Sequence, residues 1–559
     1  MEKFWLKSYP AGVPHTINPN AYVSLPALFD ETCRLYADKN AFLSFGKYLR
    51  FSELATEVEA CATAFQQTLQ LKKGDRIGIM LPNLLQYPIV LWGALKAGLI
   101  VVNMNPQYTE RELLIQVKDS GCVALVVLDI FYKKAVNIQP ATTLKHIIVT
   151  TVGDYIGAKG WAFNLGMKLS FRSPWFVPKT GGVYALKSLI KAQKKNTYVA
   201  PNLQATDIAF LQYTGGTTGT PKGAILTHGN LIANILQAEA WLSRSIVLGK
   251  EILITALPLY HIFSLMADGL LFFKMGALNV LITQPKDLKQ FISVLKSVEF
   301  TAMTGVNTLF NALSLHPDIQ SVDFSHLKLS FGGGMAVQRS VARQWQRVTG
   351  VCLLQAYGLT EASPAVCINP VSALDFTESV GLPIPSTDIQ ICDDKGNPLE
   401  IGEPGELWVK GPQVMQGYWQ NTLETEAVLT QEGWLKTGDM ASIDHRGFVK
   451  ILDRKKELIL ISGFNVYPAE VEMVIAMHPA VKEVGVAATM NESGEEVVTA
   501  YIVKKGDTLT EKEVIAHCRK FLTHYKVPKK IVFRDALPKS AVGKILRRAL
   551  HEDSHATAS

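Results

Sequence analysis

The chain has no Cys-x-x-Cys pair and no Cys/His cluster. Its seven cysteines, at 33, 61, 122, 352, 367, 392 and 518, are scattered. That pattern excludes a zinc site and a disulfide framework and fits a reducing cytoplasm. The opening residues, Met-Glu-Lys-Phe-Trp-Leu-Lys-Ser-Tyr-Pro, lack the apolar core of a signal peptide. No uninterrupted 20-residue apolar span exists either, because Pro82, Asn83, Gln86, Pro88 and Lys96 break the most hydrophobic stretch, Ile77 to Val102. No segment is therefore expected to cross a bilayer. A net charge of +7 over 559 residues is mild, which suits small anionic substrates or a lipid surface better than nucleic acid.

One local deficit is sharper. Between Asp154 and Asp207 there is no acidic residue, while Lys159, Lys168, Arg172, Lys179, Lys187, Lys191, Lys194 and Lys195 alternate with Trp161, Phe163, Phe171, Trp175 and Phe176. Such a mixture suits a segment lying on anionic lipid, and suits equally a packed helix with solvated lysines.

With 48% hydrophobic and 19% charged residues, the chain has ample material for buried cores, and its length implies more than one domain. Cys122-Val-Ala-Leu-Val-Val-Leu, His146-Ile-Ile-Val-Thr, Ile252-Leu-Ile-Thr-Ala and Ala277-Leu-Asn-Val-Leu-Ile are apolar throughout rather than alternating. Runs of this kind mark parallel strands covered on both faces. An α/β fold follows, with a large N-terminal body of layered sheets over residues 1–453. From about residue 375 to 453, short strands with Gly/Pro/Asp turns predict a β subdomain. Beyond the charged cluster Asp453-Arg-Lys-Lys-Glu457, residues 454–559 read as a small, mobile α+β domain, with a helix from Pro468 and another opened by a Thr510/Glu513 capping box.

The most telling stretch is Tyr213-Thr-Gly-Gly-Thr-Thr-Gly-Thr-Pro-Lys222-Gly. Its glycines allow positive φ and turn backbone N–H groups onto an anion, while threonine hydroxyls and one lysine add donors. It is a phosphate cradle but not a P-loop, since Lys222 follows Pro221 and precedes Gly223. Downstream, Tyr357-Gly-Leu-Thr360-Glu361 offers an aromatic ring for a base and a carboxylate for Mg2+, an ion that needs only one or two. Thr437-Gly-Asp439, read as a turn, can present a carboxylate to a ribose, and Pro538-Lys-Ser-Ala-Val-Gly-Lys544 carries a lysine on a second turn.

In this order, together with Thr255-Ala-Leu-Pro-Leu-Tyr-His-Ile-Phe and Asp453-Arg-Lys-Lys-Glu-Leu-Ile-Leu-Ile-Ser-Gly-Phe-Asn-Val-Tyr-Pro, these blocks resemble the acyl-adenylate-forming superfamily over nearly the whole chain. Within it they are most similar to the bacterial long-chain fatty acid-CoA ligases. The resemblance implies an AMP-forming ligase that takes ATP, Mg2+ and coenzyme A. In it the loop of Thr214, Gly215, Gly216, Thr217, Thr218, Gly219 and Lys222, with Tyr213 before it, would hold the β and γ phosphates, Thr214 and Glu361 the metal, Thr360 a metal or phosphate oxygen, and Gly333, Gly334 and Tyr357 the adenine. Asp439 and Arg454 would hold the ribose, His261 would sit beside the substrate carboxylate, and Lys544 would serve adenylation. Lys456 would be the hinge and Gly463 would face the pantetheine channel; Phe263, Val306, Leu309 and Met335 are candidates for the acyl tunnel. The implied partners are a long-chain fatty acid, ATP and coenzyme A, with no nucleic acid. A homodimer and peripheral contact with the cytoplasmic face of an inner membrane stay open, as does an aryl-CoA ligase as the alternative within the superfamily.

Overall fold

The computed structural model describes residues 3–157, 160–171 (side chains to 166), 182–214, 221–461, 464–491, 495–540 and 543–550. The fully apolar runs become central parallel strands in two large sheets. One sheet orders Val183–Ala185, His146–Thr150, Ala124–Leu128, Arg76–Met80, Ile100–Asn103 and Ile208–Thr214 in parallel, then adds Lys222–Thr227 antiparallel at the edge. The other is built around Leu353–Gly358, Leu329–Gly332, Ala302–Gly305, Ile252–Thr255 and Leu278–Leu281, again parallel.

Between the sheets lies the helix Gln86–Lys96, buried on every side. A helix with no polar face belongs inside a core, and the one charge on it, Lys96, is satisfied by Asp30 at 2.6 Å. Trp92, Phe29 and Phe273 pack around it with ring centroids 4.8 to 5.5 Å apart. Such ring pairs add about 0.5–1.5 kcal/mol each beyond the apolar area they bury.

The four-stranded antiparallel sheet Asp388–Cys392, Gly405–Lys410, Leu435–Ile443 and Val449–Arg454 forms the expected β subdomain. Strand Leu435–Ile443 alternates buried and half-buried positions along its length, as a one-sided sheet requires. Thr437-Gly-Asp439 lies inside this strand and not in a turn. Gly438 takes φ +69 and the pairing shifts register between Met440 and Ala441, so the strand bulges without ending.

After Arg454 the chain builds a separate apolar core. Helix Pro468–Ala476 opens with proline at its first position, where the missing N–H is harmless, and packs on strands Val481–Met490 and Glu496–Lys504. Helix Glu511–Cys518 starts with the capping box read from Thr510 and Glu513, whose side chains reciprocally bind backbone N–H groups at 3.3 and 2.9 Å.

The basic segment contributes helix Gly160–Phe171, with Trp161 exposed to 75% and Phe163 packed at a tilt of 53° against Phe45, ring centroids 5.3 Å apart. Lys159, Arg172, Trp175, Phe176 and Lys179 lie outside the described residues, as do the side chains of Lys168 and Phe171. Among the described residues no helix is long and apolar enough to cross a membrane.

Candidate active site

A cavity of about 1010 Å3 opens where the edges of both large sheets, the β subdomain and the C-terminal segment meet. Its phosphate end is set by the antiparallel pair Ile208–Thr214 and Lys222–Thr227, in which Thr214 faces Lys222 directly. Gly215, Gly216, Thr217, Thr218 and Gly219 lie outside the described residues. The Lys222 ammonium is paired with Glu424 and sits 5.4 Å from the centroid of the Tyr418 ring. Tyr213 lines the cavity but donates its hydroxyl to the Asp119 carboxylate, whose charge, after burial, pushes the phenol up.

Glu361 sits on the 3-10 turn Thr360–Ala362, directly after strand Leu353–Gly358. Its Oε1 accepts from the Tyr418 hydroxyl at 2.7 Å. Glu361 and Thr214 both line the cavity, offering one carboxylate and one hydroxyl. That donor set fits Mg2+, which keeps waters and substrate phosphates as its remaining ligands. Among the described residues no group of three or more His, Cys, Asp or Glu could hold a metal by itself.

The nucleoside side is more tightly built. Asp439 and Arg454 are cross-strand partners, and Oδ1 of Asp439 lies 2.7 Å from Nε of Arg454. Oδ2 accepts from the Tyr357 hydroxyl at 2.6 Å, so one buried carboxylate ties the aromatic ring to the ribose candidates. Burial pushes the Asp439 carboxyl up and the Arg454 guanidinium opposes it. Gly333 and Gly334 complete this wall; a side chain on Gly333 would meet Phe263 at 3.0 Å and the Ala356 carbonyl at 3.1 Å.

Lys544 reaches the cavity from the C-terminal segment. Its turn is closed by Ser540 N–H on the Lys544 carbonyl at 2.7 Å and by Gly543 in the left-handed region at φ +80. Burial, then the Arg454 charge, push its ammonium down, while Glu457 and Asp439 hold it up. Three residues on, Arg547 bonds Asp453 at 2.6 Å and Glu472 at 2.7 Å. It thus ties the Lys544 segment both to the last strand of the β subdomain and to helix Pro468–Ala476. Lys456 also lines the cavity, its ammonium pushed down by burial and by the charges of Arg548, Arg454 and Lys222.

The opposite end is apolar. His261, pushed down to about 4 by burial and hence neutral at pH 7, accepts at Nδ1 from Phe263 N–H at 3.4 Å and opens the segment that forms this wall. Phe263, Met266, Ala267 and Leu271 face Ala238 and Leu242 of helix His228–Leu242 across the gap. Beside them Asp268 is fully buried and accepts from Ser264 at 2.7 Å and Thr304 at 3.0 Å; burial pushes its carboxyl up to about 7. Of the four tunnel candidates Phe263 lines the cavity, and Val306, Leu309 and Met335 are not among its lining residues. Tyr418, Glu424, Ala238 and Leu242 are site residues that motif reading misses. A small residue on an apolar helix carries no mark separating a channel from a core.

The AMP-binding enzyme family matches residues 29–419, and the AMP-binding enzyme C-terminal domain matches 470–544. A long-chain-fatty-acid–CoA ligase of Yersinia pestis is 49% identical over 99% of this chain and 98% of its own length. One of Bacillus subtilis is 38% identical, again over 99% of this chain and 98% of its own. Among solved structures, ATP-bound MatB from Rhodopseudomonas palustris superimposes with a TM-score of 0.82 at 26% identity, over 95% of this chain and 98% of that one. The ordered motifs, the single cavity they line and these full-length matches agree: the chain belongs to the AMP-binding enzyme family.

Proposed function

We propose that the protein activates long-chain fatty acids to acyl-CoA through an acyl-adenylate, consuming ATP and releasing pyrophosphate and AMP. The observation that carries this reading is the polarity of one cavity. Lys222, from the middle of the chain, and Arg454, Lys456 and Lys544, from its last quarter, line the polar part of it, and apolar residues that include Ala238 and Ala267 line another. A polyanion and an aliphatic chain need those two environments side by side. The curated relatives named above are ligases of long-chain fatty acids.

A carboxylate is a poor acyl donor, since its leaving group would be oxide. In this reading a carboxylate oxygen attacks the α-phosphorus of ATP, the bond to the bridging oxygen breaks, and pyrophosphate departs with the electron pair. The residues position the reactants and neutralise spreading charge; none acts as a nucleophile. Asp439 and Arg454 hold the ribose, Tyr357 the base, and Lys544 the α-phosphate. Neutral His261 carries no charge that could pair with the carboxylate and orients it by a hydrogen bond. Mg2+ on Glu361 and Thr214 would supply charge neutralisation at the phosphates.

In the second step the coenzyme A sulfur attacks the acyl carbon as a thiolate and AMP leaves. Lys544 lines the polar part of the cavity, and this step needs it withdrawn to make room for the thiol. Rotation of the residues beyond Lys456 about that position, breaking the Arg547–Asp453 contact, would bring the loop around Gly463 inward; Gly463 itself lies outside the described residues.

The decisive assay is exchange of labelled pyrophosphate into ATP, with oleate or with benzoate as the acid. Oleate-dependent exchange is expected. Exchange with benzoate alone would replace the lipid reading by an aryl one.

The exposed Trp161 and the acid-free run behind it support a peripheral contact with anionic lipid. Sedimentation with phosphatidylglycerol vesicles should carry the wild type down and leave a Trp161→Glu/Lys191→Glu variant largely in solution. Equal sedimentation would remove the contact.

A further inference from the structure

We infer that Glu424 is an exchangeable counter-ion for Lys222, competing with the terminal phosphates of the nucleotide and hastening the departure of pyrophosphate. This rests on the reading that the triphosphate binds at Lys222. The two residues are 202 positions apart, yet their placement is not loose. Segment Gln416–Trp419 runs along the strand that carries Lys222: Ile225 N–H donates to Gly417, Gln416 to Ile225 and Trp419 to Gly223, at 2.8 to 3.1 Å. The helix that follows, Thr422–Val428, is fixed at its start by Asn421, whose side chain accepts from Glu424 N–H at 3.2 Å.

Backbone pairing thus holds Glu424 at the distance where its carboxylate meets the ammonium. The same segment supplies Tyr418, whose ring lies beneath Lys222 and whose hydroxyl binds Glu361.

The Lys222 side chain is 17% exposed and lies near a second cation, Lys456. An unpaired ammonium there would be poorly solvated and repelled, so the resting site needs an anion. Glu424 provides one, and its own side chain is 40% exposed, free to turn toward water when phosphate arrives. When pyrophosphate leaves, the carboxylate returns. Glu424 is therefore a positioning residue that keeps the phosphate site from closing too tightly on its product.

Pyrophosphate and ATP binding to the full chain, measured by equilibrium titration, test this. Glu424→Gln removes the competing charge and should tighten pyrophosphate about threefold to fivefold, the scale of a partly exposed ion pair. It should lower the KM for ATP in proportion and leave the KM for oleate unchanged. In a Lys222→Gln background the same substitution should give no gain, since its target is gone. Glu424→Asp, one methylene shorter, should fall between. Unchanged or weakened pyrophosphate binding in Glu424→Gln, or an equal gain without Lys222, overturns the inference. A wild-type chain that binds neither ATP nor pyrophosphate overturns it together with the proposed function.

Discussion

Replacing Lys544 by alanine is expected to slow acyl-adenylate formation by about 10²- to 10³-fold, the usual loss when one preorganised charge partner of a transition state is removed. The thioester-forming step from synthetic oleoyl-AMP and coenzyme A should stay within a few fold of wild type. The split follows from position. Lys544 lies near Asp439 and Arg454 and lines the cavity with Ser540, so in the proposed reading it serves the α-phosphate and must give up that space to the thiol. Burial and the Arg454 charge already push its ammonium down, so the cationic form gains most when a phosphate arrives to offset Arg454. Half-reactions measured separately check it: pyrophosphate exchange for the first and AMP release from oleoyl-AMP for the second. Equal loss in both would mean that Lys544 holds the domain together and does not serve one step. Lys456→Pro should fall mainly on the other step, slowing the full cycle by about tenfold and more than the first half-reaction, because proline fixes φ at the one place where rotation is proposed.

How far the sequence alone reaches is visible in particular residues. The runs apolar at every position, such as Ala124–Leu128, became covered parallel strands because two-sided burial leaves no other pattern. The Thr510/Glu513 cap was legible because both partners lie within one turn. Asp439 was offered to a ribose by its own Thr-Gly-Asp motif and Arg454 only through resemblance; what joins them is a strand pairing, and the third partner, Tyr357, is 82 residues away. Thr437-Gly-Asp439 was misread as a turn because a glycine in the left-handed region marks a bulge as readily as a hairpin. Glu424 had no local signal, since its meaning depends on a segment far along the chain lying against strand Lys222–Thr227. Of the tunnel candidates Phe263 lines the cavity and the other three are not among its lining residues, for a related reason. Val306, Leu309 and Met335 are apolar and near the motifs, but a channel wall is chosen by which helix packs across the gap, and periodicity does not report that.

Ala238→Phe is expected to move substrate choice from long acids to short ones. Ala238 is 1% exposed, on the face of helix His228–Leu242 that meets Met266 and Leu271 across the apolar channel. A phenyl ring there projects into space meant for ligand, so it fills the channel and displaces less of the packed core than an ordinary overpacking change, which costs about 1–3 kcal/mol. Each methylene kept from burial forfeits about 0.8 kcal/mol. Excluding three of them lowers kcat/KM for oleate by about 50-fold, while octanoate, ending before the ring, should keep its value within about threefold. The mirrored change, Ala267→Phe on the opposite wall, should give the same split. Retained octanoate turnover separates a blocked channel from a damaged fold, because misfolding lowers both acids alike. Parallel loss across chain lengths from eight to eighteen carbons would place the acyl chain elsewhere, and with it the apolar half of the proposed site.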